Sequence, residues 1–213
     1  MRRGLFISLE GSDGSGKSTQ LKLLQSYLEQ KGYNPVITRE PGGTAISEKI
    51  REILLDKKNS DMDDRAEALL YAAARAQLVF EVIKPALLNG RIVLCDRFID
   101  SGIVYQGYGR KLGEQVGEIN AFAIADCMPD KTFLFRLDPE IGKARIKNKN
   151  KDRLECEHQE FYNEVMRGYA ELEIKYPDRI IGIDASLSIN EIHTIVRSHV
   201  DEILNGKYDI QRH

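Results

Sequence analysis

Short apolar runs rich in β-branched residues recur along this chain at Leu5 to Leu9, Val36 to Thr38, Ile92 to Cys95, Thr132 to Leu137 and Ile180 to Ile183. Each is too short for a helix and is bounded by polar or glycine-containing segments, so each predicts a buried strand. Between them lie stretches with apolar residues three and four apart, such as Leu21, Leu24 and Leu28, and Leu69 to Leu88, which predict helices. The longest helical stretch is expected from Asp64 to Asn89, stopped by Asn89-Gly90 just before the third strand. Strand and helix in strict alternation imply an α/β fold, a three-layer sandwich with a five-stranded parallel sheet and crossover helices on both faces.

No internal repeat, low-complexity linker or composition shift divides the 213 residues, so residues 1–213 are expected to form a single domain. Hydrophobic residues make up 42% and charged ones 30%, which suits a globular chain. With 31 basic against 33 acidic side chains the net charge is -2, so no field over the whole chain draws it to nucleic acid or to an anionic membrane. Any anion site must be local. The first apolar run is broken at Glu10, and no later run is long enough to span a bilayer, so neither secretion nor membrane insertion is expected. Cys95, Cys127 and Cys156 are odd in number and lack a paired spacing, which argues for a reducing cytoplasm and against a disulfide framework or zinc site.

One segment carries chemistry on its own. Directly after the first strand comes Gly11-Ser12-Asp13-Gly14-Ser15-Gly16-Lys17-Ser18, a full G-x-x-x-x-G-K-[ST] phosphate loop, with Thr19 opening the amphipathic stretch behind it. Glycines let the backbone curl so that successive N–H groups face inward, and the helix beginning near Lys17 adds the positive end of its dipole. Lys17 then reaches the β- and γ-phosphates of ATP, and Ser18 holds Mg2+. Asp96 closes the third apolar run, where such an enzyme keeps a carboxylate near the metal or its waters; a plain strand-end cap is the other reading.

A phosphate loop alone does not separate kinases from GTPases, motors or switches. No Asn-Lys-x-Asp segment of the kind that reads guanine is present, and His158, His193, His199 and His213 lie outside every motif, so neither a GTPase nor a hydrolytic triad is supported.

Three further segments stand out: Arg39-Glu40-Pro41-Gly42-Gly43-Thr44, Leu69 to Gln77 on the long helix, and Asp96-Arg97-Phe98-Ile99-Asp100-Ser101 with Tyr105-Gln106-Gly107. Together with the phosphate loop they make the chain, from about Leu5 to Asp184, resemble a thymidylate kinase of the bacterial and archaeal type. The resemblance implies that Arg51 and Arg97 hold the acceptor's 5′-phosphate, a task for which planar guanidinium forks suit phosphate oxygens. Read alone, the same arginines could simply pair with surface carboxylates. It further implies that Asp13 accepts from the sugar 3′-hydroxyl, Tyr71 stacks on thymine and Arg75, one helical turn on, donates to thymine O4. Ser101 belongs to the acceptor side by the same match. Gln106 would bond the base edge, and Tyr105 would crowd the place of a ribose 2′-hydroxyl. Taken without the family, an aromatic and an arginine four apart read as a core residue and a surface charge. Two positions depart from the family pattern: Ala74 stands where Asp is frequent and Leu78 where His is frequent.

Beyond the fourth strand, Lys143, Arg145, Lys147, Lys149, Lys151 and Arg153 put a positive charge at every second residue. By itself such a run is a solvated loop. It also resembles the lid, here about residues 140–156, of the family's bacterial branch, whose phosphate loop lacks an arginine and whose lid supplies one. Arg153 is the best match to that arginine and Arg145 the second.

The expected activity is therefore transfer of the ATP γ-phosphoryl group to dTMP, giving dTDP and ADP, with a homodimer implied by the family. A kinase for another nucleoside monophosphate or a deoxynucleoside, and a phosphate-loop switch without an acceptor, are the alternatives.

Overall fold

The computed structural model describes residues 4–145 and 152–206. In chain order the elements are β1 (Leu5–Gly11), α1 (Lys17–Gln30), β2 (Val36–Arg39), α2 (Ala45–Leu55), α3 (Asp64–Leu78), α4 (Lys84–Leu88), β3 (Ile92–Asp96), α5 (Ile99–Gly102), α6 (Gln115–Ile124), β4 (Lys131–Arg136), α7 (Pro139–Arg145), α8 (Gln159–Lys175), β5 (Ile180–Asp184) and α9 (Ile189–Gly206). The five strands form one parallel sheet in the order β2-β3-β1-β4-β5. Each predicted strand is present, with ends shifted by a residue or two.

Alternation along the strands builds the two faces. Leu5, Ile7 and Leu9 of β1, Ile92 and Leu94 of β3, and Phe133 and Phe135 of β4 pack with Leu21, Leu24 and Leu28 of α1 and Ile192, Val196 and Val200 of α9. From the opposite side of the sheet, Phe6, Val93 and Cys95 meet Leu78, Ile83 and Leu87, while Leu134 meets Phe161, Val165 and Tyr169. Helices thus cover both faces, as a parallel sheet requires. Among the described residues no helix is long and apolar enough to cross a membrane.

The long helix expected from Asp64 to Asn89 is helical throughout but not uniform. A π-helical segment, Val79–Ile83, separates α3 from α4. Pro85 stands in the first turn of α4 and has no N–H to give to a carbonyl one turn back, so the widened segment just before it accommodates that loss. The stop falls where the sequence places it. Gly90 has φ 67, its N–H reaches the Leu87 carbonyl and that of Arg91 reaches the Ala86 carbonyl, a glycine-terminated helix end.

Because all strands are parallel, β1 and β3 deliver their C-terminal ends side by side: Leu9 lies beside Asp96 in register. The loop after β1 and the loop after β3 therefore open on one edge of the sheet, where ligands bind in such folds.

Candidate active site

Between the end of β1 and α1 the chain turns tightly around a hollow. Gly14 and Gly16 have φ 77 and 93, left-handed values that a side chain disfavours, and Gly16 immediately precedes the first turn of α1. Gly14 has a second constraint: a Cβ there would run into the backbone of Gly142 on α7, and one on Gly142 would meet the Asp13 carbonyl. Helix α7 thus rests on the loop backbone to backbone. Lys17 is buried, its Nζ donating to the Gly11 carbonyl at 3.0 Å and the Ser12 carbonyl at 2.8 Å. Burial, and then the nearby Arg97 guanidinium, lower its pKa to about 8 against the opposing pull of Asp13, Asp96 and Glu10. The Ser12 and Ser15 hydroxyls are buried without a hydrogen-bond partner among the described residues, which is where an oxyanion guest would satisfy them.

Ser18 and Asp96 meet as their positions suggest, Oγ donating to Oδ2 at 2.7 Å. One hydroxyl and one carboxylate form a hard oxygen pair that fits Mg2+, which keeps most of its waters and is completed by phosphate oxygens.

Arg97 follows Asp96 with φ 67, unusual for a residue with a side chain. Its N–H still donates to the Leu9 carbonyl at 2.9 Å, so the twist comes right at the strand end and turns the guanidinium into the cleft. There Nη2 donates to Asp13 Oδ1 at 2.8 Å, Nη1 donates to Ser101 Oγ at 3.1 Å, and the group lies 5.3 Å from the centre of the Tyr105 ring. Beneath it lies Glu10, fully buried, which accepts from the Phe98 N–H at 2.7 Å, the Ser101 hydroxyl at 2.6 Å and the Tyr169 hydroxyl at 3.0 Å. Burial, and next the Asp100 carboxylate, push Glu10 up, opposed by Arg97 and the Ser101 and Phe98 hydrogen bonds.

A cleft of about 540 Å³ joins these groups to the expected acceptor side. It is lined by Asp13, Gly14, Gly16, Lys17, Ser18 and Thr19, by Arg51, Asp96, Arg97 and Ser101, and by Tyr71, Arg75, Tyr105, Gln106 and Arg145. Arg51 is steadied by a 2.8 Å bond from Nη1 to the Pro41 carbonyl. Burial raises the Tyr71 phenol well above its ordinary value and Tyr105 to about 12, so both stay neutral across the physiological range.

Arg75 is not the surface charge that its spacing alone suggests: it is 1% exposed. Glu40 accepts from Nε at 2.8 Å and from Nη2 at 2.5 Å, the Asn120 side-chain oxygen accepts from Nη1, and the Phe98 carbonyl accepts from Nη2 at 3.2 Å. Of the five guanidinium hydrogens, one on Nη1 has no partner among the described residues, and Arg75 is among the residues that line the cleft. Glu40 and Asn120 thus support Arg75, and Leu78, one turn beyond Ala74, joins the core. Burial raises Glu40 to about 7, with Arg75 pulling it down.

The lid departs from expectation. Arg145, at the end of α7, lies over the phosphate loop, with Nη1 donating to the Gly14 carbonyl at 3.3 Å and the Ala185 carbonyl at 3.1 Å. Arg153 does not line the cleft. It is buried with Nη2 on Glu67 Oε2 at 2.6 Å and Nε on the Leu54 carbonyl at 2.9 Å, because the buried carboxylate of α3 needs cationic partners more than a solvated loop does. Of the two lid arginines named from the sequence, Arg145 thus lies beside the phosphate loop, while Arg153 is bound to Glu67 and the Leu54 carbonyl. The Lys143 side chain and Lys147, Lys149 and Lys151 lie outside the described residues.

Three carboxylates went unread in the sequence as parts of the site: Glu10, Glu40 and Glu67. Each serves an arginine or loop distant in sequence. The signal that could have found Glu10 is a charge at the end of an otherwise apolar strand, just before the phosphate loop.

The Thymidylate kinase family model matches residues 9–196. A thymidylate kinase of an Exiguobacterium strain is 50% identical over 211 residues, covering 98% of this chain and 95% of that one. One from a Geobacillus strain is 46% identical, covering 96% of this chain and all of its own length. Among solved structures, the crystal structure of thymidylate kinase from Ehrlichia chaffeensis superposes with a TM-score of 0.76 at 35% identity, over 93% of this chain and 99% of that one.

Proposed function

This chain belongs to the thymidylate kinase family, and on that premise we propose that its cleft holds ATP on the phosphate loop and dTMP against Arg97, Arg51 and Tyr71, with Mg2+ at Ser18 and Asp96. It is a phosphotransferase that acts on dTMP and uses ATP. The observation that carries the residue assignment is a single cleft lined by both the phosphate loop and the acceptor-side segments.

The nucleophile is a phosphate oxygen of dTMP, already ionised at neutral pH, so no strong base is required. It forms a bond to the γ-phosphorus as the bond from γ-phosphorus to the β-phosphate oxygen breaks, leaving ADP and dTDP. Alignment and charge neutralisation are what the protein contributes. Arg97, fixed by Asp13 and Ser101, holds the acceptor phosphate near the loop. Lys17 and Arg145 exchange backbone carbonyls for donor phosphate oxygens. Magnesium, when bound, neutralises charge on the donor phosphates. Tyr71 presents an apolar ring face to the base, Arg75 its remaining N–H to the base carbonyl, and Gln106 its amide to the base edge. Asp13 and Tyr105 face the sugar.

The test is a coupled assay of ADP release with dTMP, dUMP, UMP and CMP in turn. dTMP should give the highest kcat/KM, and a chelator of divalent cations should suppress turnover until Mg2+ is restored. Preference for UMP or CMP would overturn the acceptor assignment, and full activity in chelator would remove the metal.

We also propose a homodimer, which rests on the family and is supported by apolar side chains left exposed on adjoining elements: Leu69 on α3, Phe80 in the π-helical segment and Phe122, 90% exposed, on α6. Sedimentation at micromolar concentration should give a species of twice the chain mass. A species of the single-chain mass alone would refute it.

A further inference from the structure

Glu67, on α3, is 0% exposed and accepts hydrogen bonds from three separate places. Gln106 Nε2 donates to Oε1 at 2.8 Å, Arg110 Nη2 donates to Oε2 at 3.0 Å and Arg153 Nη2 donates to Oε2 at 2.6 Å. Although burial favours the protonated form, Arg110, Gln106 and Arg153 together hold the carboxyl below the usual range, so it is an anion. Arg153 makes two more bonds, from Nε to the Leu54 carbonyl at 2.9 Å and from its backbone N–H to the Leu55 carbonyl at 3.2 Å, both at the end of α2.

The neighbours of Arg153 show what this docking accomplishes. Asp152, Leu154 and Glu155 line the cleft although Arg153 itself does not, and Tyr162, whose hydroxyl donates to the Leu154 carbonyl at 3.0 Å, lines it with them. Glu67 lies one helical turn before Tyr71 on the same helix, so the carboxylate that receives Arg153 sits beside the ring assigned to the acceptor base. It also fixes Gln106 in that same region.

We propose that Arg153 is a positioning residue for the acceptor: its ion pair with Glu67 latches the C-terminal end of the lid, residues 152–155, onto α3, where that segment forms one wall of the base pocket. This rests on the reading of the Tyr71 side as the acceptor's. The lid is then divided by task. Its N-terminal end, with Arg145, faces the donor phosphates, and its C-terminal end encloses the acceptor.

The pair can be removed without stranding Glu67, because Arg110 remains on it and is itself shared with Glu157 at 2.6 Å. Arg153→Met keeps the apolar stem and deletes the guanidinium. Loss of the latch should raise KM for dTMP on the order of tenfold, as expected for a misplaced substrate-facing segment, while kcat and KM for ATP change by less than about threefold. Calorimetric titration with dTMP should show the same weakening in Kd, and circular dichroism confirms that the variant is folded. Arg153→Lys, which keeps a donor for Glu67, should restore most of the affinity; in a Glu67→Gln background, Arg153→Met should add little. A fall in kcat with unchanged KM and Kd for dTMP would overturn the latch and return Arg153 to the transferring phosphoryl group. Full additivity of the two substitutions would overturn it as well. Wild-type turnover of dTMP, measured in parallel, tests the acceptor assignment separately, since the titrations report on the latch by binding alone.

Discussion

Lys17→Ala should lower kcat by on the order of 10³-fold or more while leaving the secondary structure unchanged. The ammonium sits at the floor of the cleft, bound to the Gly11 and Ser12 carbonyls, with little access to water. Once it has passed from those carbonyls to the donor phosphates, a charge so placed needs no further reorganisation as negative charge develops on them, and a low local dielectric strengthens its effect. Arg97 is tied to Asp13 and Arg145 to the Gly14 and Ala185 carbonyls, so neither is expected to fill the vacancy. Stopped-time ADP assays together with circular dichroism check this, and a variant retaining more than about a tenth of wild-type kcat would show that the loop is not the catalytic cradle. The same residue carries a pH signature. Burial lowers its pKa to about 8, so in the free enzyme the ammonium is present below that pH and is lost as pH rises through it. The kcat/KM for ATP should therefore fall above about pH 8 in the wild type, and the Lys17→Ala profile should lack that limb.

Arg145→Ala is expected to cost nearly as much, and in a different way from the changes at Arg153. Arginines that meet the transferring group are worth roughly 10³ to 10⁵ in kcat, and with Lys17 and Arg97 still present the loss should lie near or below the lower end. In this structure the Arg145 guanidinium rests on two backbone carbonyls, of Gly14 and Ala185, partners that it can leave for phosphate oxygens without stranding a buried carboxylate. If it engages chiefly in the transition state, kcat and kcat/KM fall together. Lysine in its place should recover little, because the charge remains but the planar fork is lost. Steady-state kinetics of the Ala and Lys variants with ATP varied at saturating dTMP decide it. Near-normal kcat in Arg145→Ala would leave the phosphoryl group to Lys17 and Arg97.

Much of this was legible in the sequence because the information is local. A strand announces itself through consecutive apolar residues, the phosphate loop through glycines whose left-handed angles the turn demands, and the end of α4 through Asn89-Gly90. Tyr71, Arg97, Asp13 and Arg51 fall in one cleft because each sits at a fixed offset from such a marker. What the sequence hid is pairwise and distant. Glu40 meets Arg75 35 positions away, Glu10 meets the Phe98 N–H 88 positions away, and Glu67 meets Arg153 86 positions away. No local pattern says which carboxylate a buried guanidinium will choose. Arg153 is the instructive case: within its charge run nothing local separates its surroundings from those of Arg145, and the difference is made by a buried carboxylate on α3 that gathers Arg153 together with Gln106 and Arg110. The π-helical segment was hidden for a related reason, since the pattern of apolar residues continues through it and a single proline carries the cause.

Gly14 and Gly142 touch with nothing but backbone between them. A contact made by side chains can be adjusted in small steps, a methylene more or less, and natural variation explores those steps freely. Two bare backbones offer no such adjustment: the surfaces behave as a bearing whose clearance is already zero, and the smallest added group is a wedge. A side chain at either position would force α7, with Arg145 at its end, and the phosphate loop apart, so the geometry of the donor site hangs on two glycines more than a hundred residues apart in sequence.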